Sequence, residues 1–393
     1  MESVENARKR LLAVENEMNK VIIGHEDFVK ALMIATVAGE HIVVISPPGT
    51  AKSYAIHIFS KLLNAKFYSH LLTKFTPYDE LFGSIDVVSL ARDGVFKRNW
   101  SGIINADFIF LDEVFKANSA ILNSLLSLLQ ERVVYDPMSG QAVPARLHSA
   151  VGASNEVPED FELQAFYDRF AIKVFTQYLE EDKLFLRALE ARWKNSNNIQ
   201  PLASMEDVKI LHSYAVKLMT AKIKNLDKYL YEVYYVNAIP LIKRLREKGV
   251  SVSDRTVIEK LPKLLTAYLA LYGVSMENAM NAVFDLVVYI ARTKEEVDII
   301  KKTIDEALGE VAELSKKLEK ANEEILAHNF NQARATLNEI LSTDVNALAL
   351  KAPWMKPRIE AIISIARQKL KSLDELEEYI RSGIQRITGE NNE

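Results

Sequence analysis

The stretch IVVISPPGTAKS at residues 42–53 limits what this chain can fold into more than any other. Four β-branched apolar residues in a row read as a strand buried on both faces, the habit of a parallel sheet. The run stops at Pro47-Pro48-Gly49 and leads into Lys52 and Ser53 at the start of a helix. A strand that feeds a loop and a helix N-terminus points backbone N–H groups and the positive end of the helix at one place, and so holds phosphate. In the pattern G-x-x-x-x-G-K-[ST] the lysine reaches the β- and γ-phosphates and the hydroxyl holds Mg²⁺. Lys52 and Ser53 take those places, while Ser46 and Ala51 stand where the two glycines would be.

Residues 108–113, FIFLDE, supply a second buried run that ends in adjacent carboxylates. Ligands of parallel sheets sit at the carboxyl ends of the strands, which puts Asp112 and Glu113 beside the loop. Asp112 then suits a Mg²⁺ shell, and Glu113 suits the orientation and polarisation of an attacking water. A core strand followed by an acidic helix cap is the plainer alternative.

A length of 393 residues exceeds what one hydrophobic core usually serves, so two or three domains are expected. With 49% hydrophobic and 26% charged residues the composition is that of a globular protein. The absence of cysteine excludes disulfides, thiol nucleophiles, zinc fingers and iron–sulfur ligation, and fits a cytoplasmic setting. No uncharged apolar run approaches the ~18 residues of a membrane span, and the N-terminus has no signal-like apolar core. A net charge of −4 gives no general footprint for nucleic acid. The seven histidines lack the spacing of a metal face.

Along the chain, residues 7–38 read as a helix, a bend at Val21–His25 and a second helix. After the phosphate loop come a helix to about Leu63 and a strand near Ala65–His70. Val87–Leu90 and Val95-Phe96 around Asp93-Gly94 read as a β-hairpin, as do Val133–Tyr135 and Ala142–Pro144 around Met138–Gly140. A helix near Ala120–Gln130 separates them, and a strand at Ser149–Ala153 follows the second. From about Leu179 strand signals cease. The expected domains are 1–178, 179–285 and 286–393. A heptad with Val297, Ile304, Val311, Leu318 and Ile325 at one seam position and Ile300, Ala307, Leu314 and Ala321 at the other predicts a coiled-coil-like helix roughly 40 Å long. An antiparallel helix from Asn331 to Leu341 follows, then Pro353 and Pro357 as breakers, then a last helix near Arg358–Leu370.

Hydrolysis needs a polar sensor of the γ-phosphate and a positive charge for the transition state. Asn155 ends the strand after FIFLDE, Arg169 lies in Phe166–Phe170, and Arg255 opens a helix of the second domain from which it is expected to close over the nucleotide. Plainer roles stand beside each: a helix cap for Asn155, an ion pair with Asp168 for Arg169, a salt bridge for Arg255. Arg132, near the end of the helix after FIFLDE, offers an interface role but reads better as a solvated helix residue.

At this point the chain resembles the MoxR group of AAA+ ATPases, in the branch of regulatory ATPases that work beside von Willebrand factor A domain proteins. PPGTAKS, LFGSIDVVSL, FIFLDEVFKANSAILNSLLSLLQER, ASNEVPED, AFYDRF and SVSDR carry the resemblance, in the family's order, within residues 22–256. It implies an α/β P-loop core with a parallel sheet and two inserted β-hairpins, an all-α lid, and a helical, coiled-coil-like C-terminal region. An alanine before the lysine is usual in that family, and Ser46 is the departure. By resemblance Lys52 and Ser53 form the Walker A pair and Asp112 and Glu113 the Walker B pair. Asn155 resembles sensor 1, Arg255 sensor 2, and Arg169 the arginine finger that serves the neighbouring subunit. Ile22, Ile23 and Gly24 resemble the adenine-contacting edge, and Pro48, Gly49, Thr50, Ala51 and Tyr54 complete the nucleotide site. ATP and Mg²⁺, a homo-hexameric ring, a protein client and a von Willebrand factor A partner are implied. Residues from about Lys294 lie outside the resemblance.

The leading expectation is an ATP-driven remodelling motor of chaperone type. A DNA-handling ATPase, resting on Lys97, Arg98 and Arg146 near the hairpins, is one rival. A nucleotide-gated scaffold that hydrolyses slowly, resting on Ser46, is another.

Overall fold

A computed structural model describes residues 2–194, 199–220, 231–351 and 355–388. Met1–Leu230 with Ser251–Val297 forms one compact unit, and Tyr231–Val250 with Asp298–Glu393 a second.

The first unit is built on the predicted parallel sheet with one strand more than expected, β9; the five run in the order β2 (Phe67–Leu71), β5 (Phe108–Asp112), β8 (Ser149–Ser154), β1 (Ile42–Ile45) and β9 (Ile172–Phe175). All four pairings are parallel, with Ile45 beside Ser154 and Phe175, and Leu71 beside Asp112. The carboxyl ends therefore emerge on one side. β1 and β8 are buried at every residue, as strands of a sheet covered on both faces should be, whereas the edge strand β2 is partly exposed. Because β1 lies between β8 and β9, the chain leaves it where strand order reverses, and a ligand crevice opens there.

The helices Glu2–Val21 and Glu26–Ala38 meet at the predicted bend. The helix Ser119–Glu131, capped by the Asn118 side chain on the N–H of Ile121, turns Ile121, Leu125, Leu128 and Leu129 into the core. There they join Ile109, Leu111, Phe166 and Phe170. Each such side chain contributes roughly 1.5–3 kcal/mol by leaving water.

The first insertion departs from expectation. Its strands are β3 (Gly83–Ile85) and β4 (Arg98–Trp100), paired antiparallel, while Val87–Asp93 is helical. The Asp86 carboxylate accepts from the N–H groups of Val88 and Ser89, and this cap overrides the β-branched pair Val87-Val88. Gly94 ends that helix instead of turning a hairpin. Gly83 has φ +104, and a Cβ there would stand 2.0 Å from the Asn99 carbonyl oxygen, so only glycine serves. The second hairpin is as predicted, β6 (Val133–Tyr135) with β7 (Ala142–Pro144).

Arg98 joins the two insertions. Its Nε donates to Asp136 Oδ2 at 2.6 Å, and its Nη1 donates to Asp79 and to the Gly83 carbonyl. The guanidinium also lies 4.8 Å from the Tyr78 ring centroid, and the Tyr78 hydroxyl donates to the Tyr135 carbonyl at 3.0 Å.

After β9 the described residues contain no further strand. The heptad is one helix, Lys294–Leu326, and Phe330–Leu341 runs back along it. Thr336 pairs with Glu324 and Glu339 with Lys317, an antiparallel order. The last helix is longer than predicted, Lys356–Thr388. Pro357 stands in its first turn, where no N–H is needed, and apolar spacing continues through Leu373, Leu376 and Ile380. Pro353 lies outside the described residues.

Candidate active site

The predicted residues divide between the two ends of the sheet. At the carboxyl end, β1 runs into the loop before the helix Lys52–Leu62. Gly49 has φ +83, and Ala51, in the place of the second glycine, has φ 58. A non-glycine residue held there costs about 1 kcal/mol or more, the kind of strain that functional loops carry. Ser46 is not among the residues with positive φ, so the backbone freedom of a first glycine is unused here. Its buried hydroxyl instead lies 2.8 Å from Thr50 Oγ1, and Thr50 Oγ1 reaches the Pro47 carbonyl at 3.1 Å. The loop is thus tied across its base.

Lys52 Nζ donates to the Ser46 carbonyl at 3.1 Å. Burial lowers its pKa, against the opposing pull of Asp112 and Glu113. Asp112 Oδ1 accepts the N–H of Glu113 at 3.0 Å, and Glu113 turns sharply out of β5 with φ 52. Glu113 Oε1 accepts from Asn155 Nδ2 at 2.9 Å, and Oε2 pairs with Lys116 at 3.2 Å. Asn155 caps no helix; Asp160 caps the next one, Phe161–Tyr167. Ser53 is exposed on the first turn after the loop.

A cavity of about 540 Å³ flanks the loop and brings together Ile22, Ile23, Gly49, Thr50, Ala51 and Tyr54. Gly24 does not line it; its N–H faces Glu26 Oε1 at 3.3 Å. A second cavity of about 810 Å³ touches Ser46, Asn155 and Lys116. Backbone donors, a half-buried lysine without a carboxylate partner at bonding distance, and adjacent carboxylates suit a phosphate chain with a divalent cation.

Arg169 and Arg255 sit elsewhere. Arg169 precedes β9, so it lies at the amino end of the sheet, opposite the loop. There it and Arg255 line a cavity of about 450 Å³ with Arg132, Lys260 and Lys263. Burial first, then the charge of Arg255, lowers the pKa of Arg169. Arg169 Nε is buried with no hydrogen-bond partner, and Asp168 pairs with Arg292 at 3.4 Å. Arg255 makes the anticipated salt bridge, an exposed one to Glu259 at 3.0 Å. Arg132 is no solvated helix residue: it ends its helix at φ 58 and donates to the carbonyls of Gly39 (3.0 Å) and His148 (3.3 Å).

Sequence reasoning missed the cavity's far wall. Tyr178, whose hydroxyl donates to the Pro48 carbonyl at 3.0 Å, and Arg192, stacked 4.3 Å from the Tyr54 ring centroid, close over the loop. Phe185, Ala188 and Arg192 recur at helical spacing in the helix Asp182–Lys194, the one signal that foretold a lining face.

Comparison with known proteins converges on one group. The description "MoxR domain in the MoxR-vWA-beta-propeller ternary systems" matches residues 9–214. An uncharacterized protein of Methanocaldococcus jannaschii is 29% identical over 386 residues, 94% of this chain and 97% of its own. Chaperone MoxR1 of Mycobacterium tuberculosis is 25% identical over 167 residues, 41% of this chain and 43% of its own. The crystal structure of a candidate ATPase from Cytophaga hutchinsonii superposes with a TM-score of 0.57 at 22% identity, covering 77% of this chain and 95% of its own, a likeness of fold. Since the match at residues 9–214 spans more than half the chain and both ends of the sheet, this chain belongs to the MoxR family of AAA+ ATPases.

Proposed function

We propose that this chain hydrolyses Mg-ATP in a homo-hexameric ring and uses the cycle to remodel a protein client. One observation carries the proposal: Lys52, Glu113 and Asn155 gather at one end of the sheet, while Arg169 and Arg255 share a cavity at the other. A nucleotide in the loop cannot meet those arginines within one copy, but a neighbour's can.

Bound Mg-ATP would supply the electrophilic phosphorus and a cation that offsets phosphate charge. Lys52 would exchange the Ser46 carbonyl for phosphate oxygens. Ser53 and Asp112 would hold the metal shell. Glu113, kept in orientation by Asn155, would draw the proton from the attacking water. The neighbour's Arg169 and Arg255 would balance the charge that develops. The helical segment 179–285 would act as the lid, since its first helix already lines the loop cavity.

A von Willebrand factor A protein is the partner we infer, because the matching family description names such ternary systems. A protein client is favoured over nucleic acid because two cations near the hairpins are already paired, Arg98 with Asp136 and Arg146 with Asp107, each at 2.6 Å. Among the described residues no helix is long and apolar enough to cross a membrane. A cytoplasmic setting, where ATP is abundant, completes the proposal.

The test is turnover per subunit in Mg-ATP as protein concentration rises. A finger supplied in trans is worth ~10³–10⁵ in rate, so activity should climb steeply as rings assemble. Constant turnover down to demonstrated monomer would sink the ring mechanism.

A further inference from the structure

Arg169 and Arg255 repel each other, and the buried Nε of Arg169 has no partner. Arg255 is balanced in part by Glu259, whereas the placement of Arg169 in their shared cavity depends on the backbone that carries it. The two come from distant parts of the chain, one before β9 and the other at the start of a helical run whose residues Thr256–Lys260 form a π-helical turn. Such turns are rare and concentrate at functional sites. This one leaves Arg255 and Glu259 exposed but turns Lys260 inward, where only 7% of it remains accessible. There Lys260 Nζ donates to the carbonyl oxygen of Asp168, the residue before Arg169. The Asp168 carboxylate is held from the other side by Arg292 at 3.4 Å, and the Tyr167 hydroxyl donates to the Arg292 carbonyl at 2.8 Å.

We propose that Lys260 is a positioning residue: by gripping the Asp168 carbonyl from the helix that begins with Arg255, it sets the two arginines as one unit for a nucleotide carried by a neighbouring copy. The inference rests on the trans reading given above. An apolar side chain would fill this place without the desolvation that holds the Lys260 pKa down to about 8, so the amine is retained for the contact it makes. The neighbouring charges are mixed, with Asp168 and Glu40 favouring the cation and Arg255 and Arg169 opposing it. Lys260 itself does not reach toward the neighbour's phosphates, because its Nζ is engaged with the backbone.

The experiment mixes variants. Lys260→Met keeps the volume and loses the donor. Alone it should lower kcat on the order of 10²-fold, the cost of a misplaced catalytic group, with KM for ATP unchanged. Mixed with Glu113→Gln subunits, whose arginines are intact, it should regain turnover above the sum of the separate proteins, since its own loop would face a sound neighbour. Arg169→Ala mixed with Glu113→Gln is the control. Wild-type turnover by Lys260→Met overturns the proposal. So does a loss that Glu113→Gln fails to rescue while the control pair is rescued, for Lys260 would then act in its own site or in folding. If neither pair recovers, the trans reading fails and takes the proposal with it.

Discussion

The two ends of the sheet gather positive charge in different ways. At the carboxyl end the donors are local in sequence: a loop strained at Ala51, a helix N-terminus and Lys52 lie within a few residues. At the amino end the cations come from separate segments, and Arg132, Arg169, Arg255, Lys260 and Lys263 meet only in the folded chain. The first end is a prepared cradle that is satisfied on its own, with Lys52 resting on the Ser46 carbonyl. The second is a cluster of cations balanced only in part, Arg255 by Glu259 at 3.0 Å and Lys263 by Glu40 at 2.8 Å, and it is held by buried contacts. The phosphate loop can be written in one motif, whereas the cluster at the amino end must be assembled by tertiary structure.

The contrast breaks most readily in catalysis. Glu113→Gln should lower turnover ~10²–10⁴-fold while nucleotide stays bound, as expected for removal of a general base. A fluorescent-nucleotide titration beside a phosphate-release assay would check both halves, and unchanged release would remove Glu113 from the chemistry.

A smaller effect probes the cost of cations at the amino end. Lys173 is fully buried, donates to the Phe170 carbonyl at 3.1 Å and lies 5.0 Å from the Tyr167 ring centroid. Burial, and next the charge of Lys260, lowers its pKa to about 7. Its pKa in the unfolded chain is near 10.4, so between about pH 7 and 10 the unfolded state binds the extra proton. Stability should therefore rise with pH across that window, by up to ~1.4 kcal/mol per unit for each such lysine. Lys173→Met should be more stable at pH 7 and show a flatter slope. Chemical denaturation at pH 7 and pH 9 would decide, and a variant less stable than the parent would mean that the amine contributes more than it costs.

The smallest effect is expected at the carboxyl end. Ser46→Ala removes the hydroxyl contact across the loop base, worth about 1 kcal/mol, and should weaken nucleotide binding about five-fold with turnover at saturation unchanged. A loss of turnover at saturation would instead give the serine a part in the chemistry.

Much of the sheet was legible because strands buried on both faces show as apolar runs, as IVVI and FIFL do, whereas the buried strand IKVF passed unmarked because Lys173 interrupts its run. The long helix Lys294–Leu326 was legible for the same reason, with its heptad carrying one packed seam. Val87-Val88 misled, since β propensity lost to a two-bond cap from Asp86, a local contact that propensity does not count. In the candidate site, Lys52, Ser53, Asp112, Glu113 and Asn155 announced themselves by position after buried strands. Lys260, Arg292, Tyr178 and Arg192 did not. Their partners lie far off in sequence, for example 92 residues between Lys260 and Asp168 and 130 between Tyr178 and Pro48, and no spacing rule spans such gaps.

Arg98 and Asp136 are each about 2% exposed in their side chains, and they bind the two insertions through one charge pair. A buried ion that loses its partner costs several kcal/mol, so removing either residue alone should loosen both insertions together. Val87, Val88 and Met138, by contrast, stand exposed on the outer surfaces of the insertions. The pair works as a clasp: it is closed off from water where the two insertions meet through charge.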